Sequence, residues 1–218
     1  MKRKISIVLL VVVALGLGSC KFGRGIAGSG NRKTETRELK QFNAIDTSGA
    51  YNIKVTCQQP ATFELEADDN LLPLIKTEVR DGMLFVSNDQ EFHSSKIPSL
   101  RITLPDLARL TNRGAGDVNI AGANSNQLDL DSTGAASIAA GGNARSVTIS
   151  STGAGKIDAG NLHAEKVKVS VSGAASIDVY ATEQLDVDIS GVGQVSYGGK
   201  PKVVNKNVSG VGTVNPKN

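Results

Sequence analysis

The residues able to do acid–base, nucleophilic or metal chemistry are few and scattered in this chain. His93 and His163 are its only histidines and lie 70 positions apart in unrelated contexts. A catalytic or zinc site needs several such groups converging, and no His pair stands at ligand spacing. His163, in Asn161-Leu162-His163-Ala164, reads as an exposed loop residue. Cys57 follows Ile53 and Val55 at period 2, which puts it on their buried face as a small hydrophobe. Two acidic pairs, Asp129/Asp131 and Asp186/Asp188, sit at outward strand positions three repeats apart. At ~4.8 Å per stacked strand they are about 14 Å from each other, too far to share one reaction. Asp158 and Asp178 each stand five residues after a glycine (Gly153, Gly173), close enough to hold a cation, although solvated carboxylates are the simpler reading. Tyr180 and Tyr197 offer a flat apolar surface with a polar tip that would suit a sugar ring. Their offsets from the preceding glycines are seven and six, so without a bulge they point to opposite faces, and packing at a corner is the alternative. No Gly-Gly-x-Gly-x-Asp calcium repeat occurs, and no glycine loop is followed by the Lys-Ser/Thr of a phosphate site. The expectation is therefore no catalytic residue, no metal and no cofactor, with Tyr180, Tyr197, Asp158 and Asp178 as candidate ligand contacts.

What positions these residues is a repeat. Glycines 114, 134, 153, 173, 191 and 210 recur 18–20 residues apart. All but the first follow Ser or Thr, and each is followed four residues later by Val118, Ile138, Ile157, Ile177, Val195 or Val214. An earlier copy, Ser48-Gly49-Ala50, has Ile53 at the same offset. Alternating pairs such as Leu128/Leu130, Val147/Ile149, Val167/Val169 and Leu185/Val187 precede the glycines. The unit is strand, tight glycine turn, strand, with no 3.6-residue period to make a helix. An up-and-down sheet has no need of the same residue class at the same offset in every unit. A parallel β-helix does, because equivalent residues stack into columns. The fold expected is all-β: a right-handed parallel β-helix (β-solenoid) with coils of about 19 residues. Its glycines should supply positive φ at corners, and its Ser/Thr column should serve turn hydrogen bonds.

Residues 107–218 hold this repeat. Residues 41–106 differ, with four of the five phenylalanines, strand-like runs at 51–57, 62–67, 83–87 and 100–104, and a turn at Arg80-Asp81-Gly82. Asp69 is placed to cap a short helical turn that Pro73 keeps from lengthening. This segment reads as a bulkier N-terminal β segment or cap. Residues 20–40, rich in glycine and mixed charge, read as a flexible tether.

The N-terminus has Lys2-Arg3-Lys4, an apolar run from Ile5 to Leu17, and then Gly18-Ser19-Cys20. The run is too short to span a bilayer and marks residues 1–19 as a signal peptide. Leu17-Gly18-Ser19-Cys20 resembles a bacterial lipobox. That resemblance implies acylation at Cys20, a lipid anchor in the bacterial outer membrane and, without acids after Cys20, the periplasmic rather than the outer face.

Over the 218 residues the formal charge is +3, and Lys2, Arg3 and Lys4 account for all of it. A neutral mature chain is a poor match for nucleic acid. With no Trp and 24 glycines, the core must be aliphatic and narrow. The Gly-Ala-Tyr-Asn-Ile copy at 49–53, the Ser/Thr-Gly-Ala repeats and the lipobox together resemble the "putative auto-transporter adhesin, head GIN domain" family, over residues 40–214. The resemblance implies a secreted Bacteroidetes-type β-helix without an established activity. The resulting expectation is a non-catalytic envelope lipoprotein, an adhesin or scaffold presenting its surface to a polysaccharide or protein. A carbohydrate-active enzyme and a homo-oligomeric envelope-assembly protein are the alternatives.

Overall fold

The computed structural model describes residues 25–217; the expected signal segment, Cys20 and the first residues of the tether lie outside them. Along the chain the strands are β1 (Ile26–Ala27), β2 (Arg32–Thr36), β3 (Ala44–Thr47), β4 (Asn52–Cys57), β5 (Thr62–Asp68), β6 (Ile75–Arg80), β7 (Met83–Asn88), β8 (Phe92–His93), β9 (Ser99–Leu104), β10 (Arg109–Asn112), β11 (Ala115–Ser132), β12 (Ala135–Ser151), β13 (Ala154–Val171), β14 (Ala174–Ile189), β15 (Val192–Gly199), β16 (Val203–Val208) and β17 (Val211–Pro216). One 3-10 turn, Leu72–Leu74, is the only helical element among the described residues.

The long strands β11 to β14 are whole coils, each paired in parallel with the next. Together with the flanking coils they form a β-solenoid. In β11 and β12 the pairing falls into three runs, at Ala115–Ile120, Ala123–Ser125 and Gln127–Ser132 of the first coil, with a register shift between Ile120 and Ala123. The expected aliphatic column is present rung by rung. Ile53, Val118, Ile138, Ile157, Ile177, Val195 and Val214 are successive Cα partners, and all seven are buried. A second inward column runs Leu84, Ile45, Leu110, Leu130, Ile149, Val169, Val187. Burying each such side chain stabilises the fold by about 1.5–3 kcal/mol, so two continuous columns can replace the aromatic core that this composition lacks.

The repeat glycines serve a different purpose from the one expected. None of the six from Gly114 to Gly210 has a left-handed φ. Instead they stack in close contact: a Cβ on Gly134 would lie 1.7 Å from the carbonyl oxygen of Gly114, and one on Gly153 would lie 1.9 Å from that of Gly134. The backbone of each turn occupies the space a side chain would need. The hydroxyls beside them are exposed rather than engaged in the turns; of Thr133, Thr152, Ser172, Ser190 and Ser209, only Ser190 reaches a turn carbonyl, Val171 O at 3.4 Å.

In the N-terminal region, β3 and β4 already belong to the parallel stack, with Ile45 on Leu110 and Ile53 on Val118. The chain then doubles back. β7 and β9 add one further parallel rung beneath β3 and β4, and antiparallel β6, β5 and β2 cover the outside of that rung. The turn at Asp81-Gly82 is as expected, both residues having positive φ (49° and 73°). Asp69 does not cap the 3-10 turn, whose N-cap is Leu71; its Oδ1 accepts the Ser29 hydroxyl at 2.6 Å. The flexible-tether reading also fails for residues 32–37. Arg32–Thr36 pairs along β5, and Arg37 donates to the carbonyls of Ile75 (2.7 Å) and Leu72 (3.0 Å). Charges that read as solvated are here the means of attachment.

Candidate binding surface

Inward and outward positions alternate along each coil, so the outward ones form columns of their own. On the Gln127–Ser132 run, one column is Met83, Ala44, Arg109, Asp129, Thr148, Lys168, Asp186, Asn205. The next is Phe85, Asp46, Thr111, Asp131, Ser150, Ser170, Asp188, Asn207. Both run the full height of the stack. Cys57 faces inward as expected and is buried; burial, helped by the nearby Asp106 carboxylate, pushes its thiol up to about 11. A thiol of that kind is not a nucleophile at neutral pH.

The two tyrosines do not form a platform. Tyr197 is the Cα partner of the inward-facing Val179 and packs against the core at the C-terminal end. Tyr180 lies on the column of Asn143 and His163, with its ring centroid 4.4 Å from that of His163. Gly198 follows on the next coil, where a Cβ would come within 2.9 Å of the Tyr180 ring. Tyr180 is thus stacked between a histidine and a glycine backbone, and its ring is already in use. The His163 contact escaped sequence reading because a register shift between Ala159 and His163 brings into line two residues with different offsets from their glycines.

Asp158 and Asp178 are partners on adjacent coils, and each has its own lysine: Lys156 at 4.0 Å and Lys217 at 3.3 Å. Among the described residues no group of three or more His, Cys, Asp or Glu side chains is arranged to hold a metal. Of the outer acid pairs, Asp129, Asp186 and Asp188 are similarly occupied, and Asp131 is not. Asp186 and Asp188 accept the side-chain amides of Asn205 (2.7 Å) and Asn207 (3.0 Å) on the next coil. Asp129 accepts from Arg109 at 2.7 Å and Gln127 at 3.0 Å. Burial works to raise its pKa, but the Arg109 and Gln127 hydrogen bonds outweigh it and hold the carboxyl below the ordinary aspartate range. Held in this way, Asp129 is a poor proton donor at neutral pH.

The feature that sequence reasoning missed lies at the N-terminal end of this face, where a hollow of about 530 Å³ is lined by Phe85, Met83, Arg109, Arg113, Asp131 and Ser150, among others. Arg113 grips Asp46 with two nitrogens, Nε at 3.0 Å and Nη2 at 2.7 Å. Phe85 points outward between the buried Leu84 and Val86, with the Arg80 guanidinium 4.6 Å from its ring centroid. The alternation of β7 signals this outward aromatic, but nothing local indicates that the doubled-back rung sets it beside the repeats. A second hollow of about 550 Å³ lies among Phe42, Pro60, Pro105 and Asp106, where the Asp106 carboxylate is already engaged by the Ser125 hydroxyl.

Fold and surface together define a β-solenoid with polar, structurally paired outward columns. Residues 41–201 match the family model "Putative auto-transporter adhesin, head GIN domain", and the chain belongs to that family. It is similar to a putative adhesin from Bacteroides fragilis of known crystal structure, with 29% identity and a TM-score of 0.72 over 88% of this chain and all of that one. A crystal structure described as a putative lipid binding protein from Parabacteroides distasonis shares the fold at 20% identity, with a TM-score of 0.52 over 89% of this chain and all of that one. No curated protein matches the chain. Among the described residues no helix is long and apolar enough to cross a membrane.

Proposed function

We propose that the protein is a non-catalytic lipoprotein of the bacterial envelope, anchored through Cys20, whose solenoid binds an extended polysaccharide along its axis. The observation that carries this reading is the pair of outward columns on the Gln127–Ser132 face. They offer hydroxyl, carboxylate, amide and ammonium groups at one set per coil, about 4.8 Å apart. A linear glycan likewise presents one set of hydroxyls per sugar, so a chain lying along the stack would meet one row of side chains at each step, with the chemistry of the row changing from coil to coil. Asp129, Asp186 and Asp188 on this face are held by neighbouring side chains, which suits recognition of hydroxyls and not proton transfer.

The binding reading is tested with a glycan array probed by the full chain in detergent, with an envelope extract in parallel; binding to a linear glycan is expected, and binding only to a protein would replace it with the scaffold reading. The anchor is tested separately. Cys20→Ala should abolish incorporation of a palmitate analogue in cells and alter fractionation, and label retained in the variant would refute the assignment.

A further inference from the structure

We propose that the hollow around Phe85, Arg109, Arg113 and Asp131 is the primary subsite for glycan binding, and that it takes a short stretch of neutral hexopyranoses rather than a single ring. Phe85 and Asp131 stand three rungs apart, about 14 Å at ~4.8 Å per strand. This rests on the glycan reading above and narrows it to one place and one ligand class.

Charge decides the class. Two arginines line the hollow and a third, Arg80, lies over the Phe85 ring. Each is already neutralised: Arg109 by Asp129 at 2.7 Å, Arg113 by Asp46 at 2.7 Å, and Arg80 by Glu78 at 3.3 Å. Asp131 is left over. It makes no salt bridge among the described residues, and its one side-chain hydrogen bond is a long one from Thr111, at 3.5 Å. The local balance is therefore one carboxylate in excess, which disfavours phosphates, sulfates and uronic acids despite the arginines. It does not suit a metal either, since the neighbouring acids are held by arginine. A neutral polyol fits both halves of the site. Asp131 can accept hydrogen bonds from two sugar hydroxyls, while Arg109 and Arg113 keep N–H groups free for sugar oxygens because they are about half exposed. Ser150 adds a hydroxyl on the next rung. Three rungs from Asp131, Met83 and the part of the Phe85 ring that Arg80 leaves uncovered supply the apolar wall that the C–H face of another pyranose of the same chain needs. Because the arginines are fixed by their ion pairs, little side-chain entropy is lost on binding. Further along the same face, the carboxylates of Asp186 and Asp188 are bonded to asparagine amides and no aromatic stands beside them.

The test is calorimetric titration of the full chain in detergent with cellohexaose, maltohexaose and mannohexaose, and with a hexamer of galacturonic acid as the anionic comparison. Wild type is compared with Asp131→Asn, Phe85→Ala, Asp188→Asn further along the same face, and the control Asp117→Asn, which is exposed on the Ala115–Ile120 run outside both columns, each first shown to unfold cooperatively. At least one neutral hexamer should bind, with Asp131→Asn weakening it by about tenfold, as expected for hydrogen bonds to a charged group, and the control Asp117→Asn changing it less than about twofold. Should Phe85→Ala fail to fold, Asp131→Asn decides alone. Unchanged affinity in folded Asp131→Asn, with loss in Asp188→Asn, would move the subsite elsewhere and leave the glycan reading standing. Binding of the acidic hexamer alone would overturn the neutral class, and binding of no hexamer would overturn both the subsite and the glycan reading.

Discussion

At the scale of single residues, the glycine column shows how one sequence signal can have two physical causes. A recurrent glycine at a turn suggests positive φ, yet what forbids a side chain here is the stacked backbone of the preceding coil. Gly153→Ala drives a Cβ toward a carbonyl 1.9 Å away, whereas at Gly160 the nearest atom is the flexible Asp158 carboxylate at 3.4 Å. Gly153→Ala should therefore cost about 3 kcal/mol as an overpacked contact, and Gly160→Ala less than about 1; chemical denaturation of both would check it, equal costs ruling out the stacking account. Asp129 yields a pH-dependent prediction. Its folded carboxyl is held below the ordinary value, so its ion pair with Arg109 stabilises the fold fully above the unfolded pKa of about 3.9, and the contribution disappears as pH falls through the lower folded value. Arg109 is half exposed, so the effect is screened to about 1 kcal/mol. Asp129→Asn should lose that much at pH 7 and progressively less as pH falls below about 3.9, by urea unfolding across a series of acidic pH values. A difference that persists in acid would show that the ion pair is not its source. Cys57 should react with a thiol reagent at pH 8 only as fast as its coil opens, because the buried thiol's pKa is near 11; rapid labelling of the native protein would contradict its inward position.

At the scale of elements, the coils were legible because every one of them repeats the same constraint. Ile157 lies between Ile138 and Ile177 in the inward column and is buried, while Lys156 beside it is exposed. Ile157→Ala should cost about 2–5 kcal/mol, and Lys156→Ala less than about 0.5. Similar losses at both positions, in melting or denaturant curves, would mean that the register is wrong. Where an element has no column to join, the signal vanishes. Arg32-Lys33-Thr34-Glu35-Thr36 contains no apolar residue, yet it pairs along β5, because an edge strand held by backbone bonds and ion pairs needs no hydrophobic face and its charges discourage further pairing. Tyr180 and His163 escaped for a related reason: they meet at a corner where the coils differ in length, so equal offset no longer means equal position. The hollow proposed as a sugar site was hidden more completely, because Phe85 lines the same hollow as Arg109 and Asp131 only through the doubling-back of residues 83–104 beneath the first coil, a topological step with no local sequence mark.

The whole molecule faces the difficulty common to solenoids, that each end exposes a strand edge and the rim of the core. The N-terminal end is covered by β6, β5 and β2 running antiparallel. Among the described residues the C-terminal end has no such cover, and Val203, Val208 and Val211 are exposed there. The inward column that runs through Ile149, Val169 and Val187 finishes on Lys206. Its ammonium donates to the Val214 carbonyl at 2.7 Å and lies 5.5 Å from the centre of the Tyr197 ring. A lysine at the last rung of an aliphatic column closes the opening with a charge that another copy's apolar core would have to desolvate, which works against end-to-end stacking. Lys206→Leu should complete the column and leave an uninterrupted apolar rim beside an unpaired edge. The variant should keep its fold but show a molecular mass that rises with concentration in sedimentation experiments, while the wild type shows one mass throughout. If the variant and the wild type sediment identically across that range, the lysine is not what keeps the end closed, and the exposed valines would need another explanation for their tolerance of water.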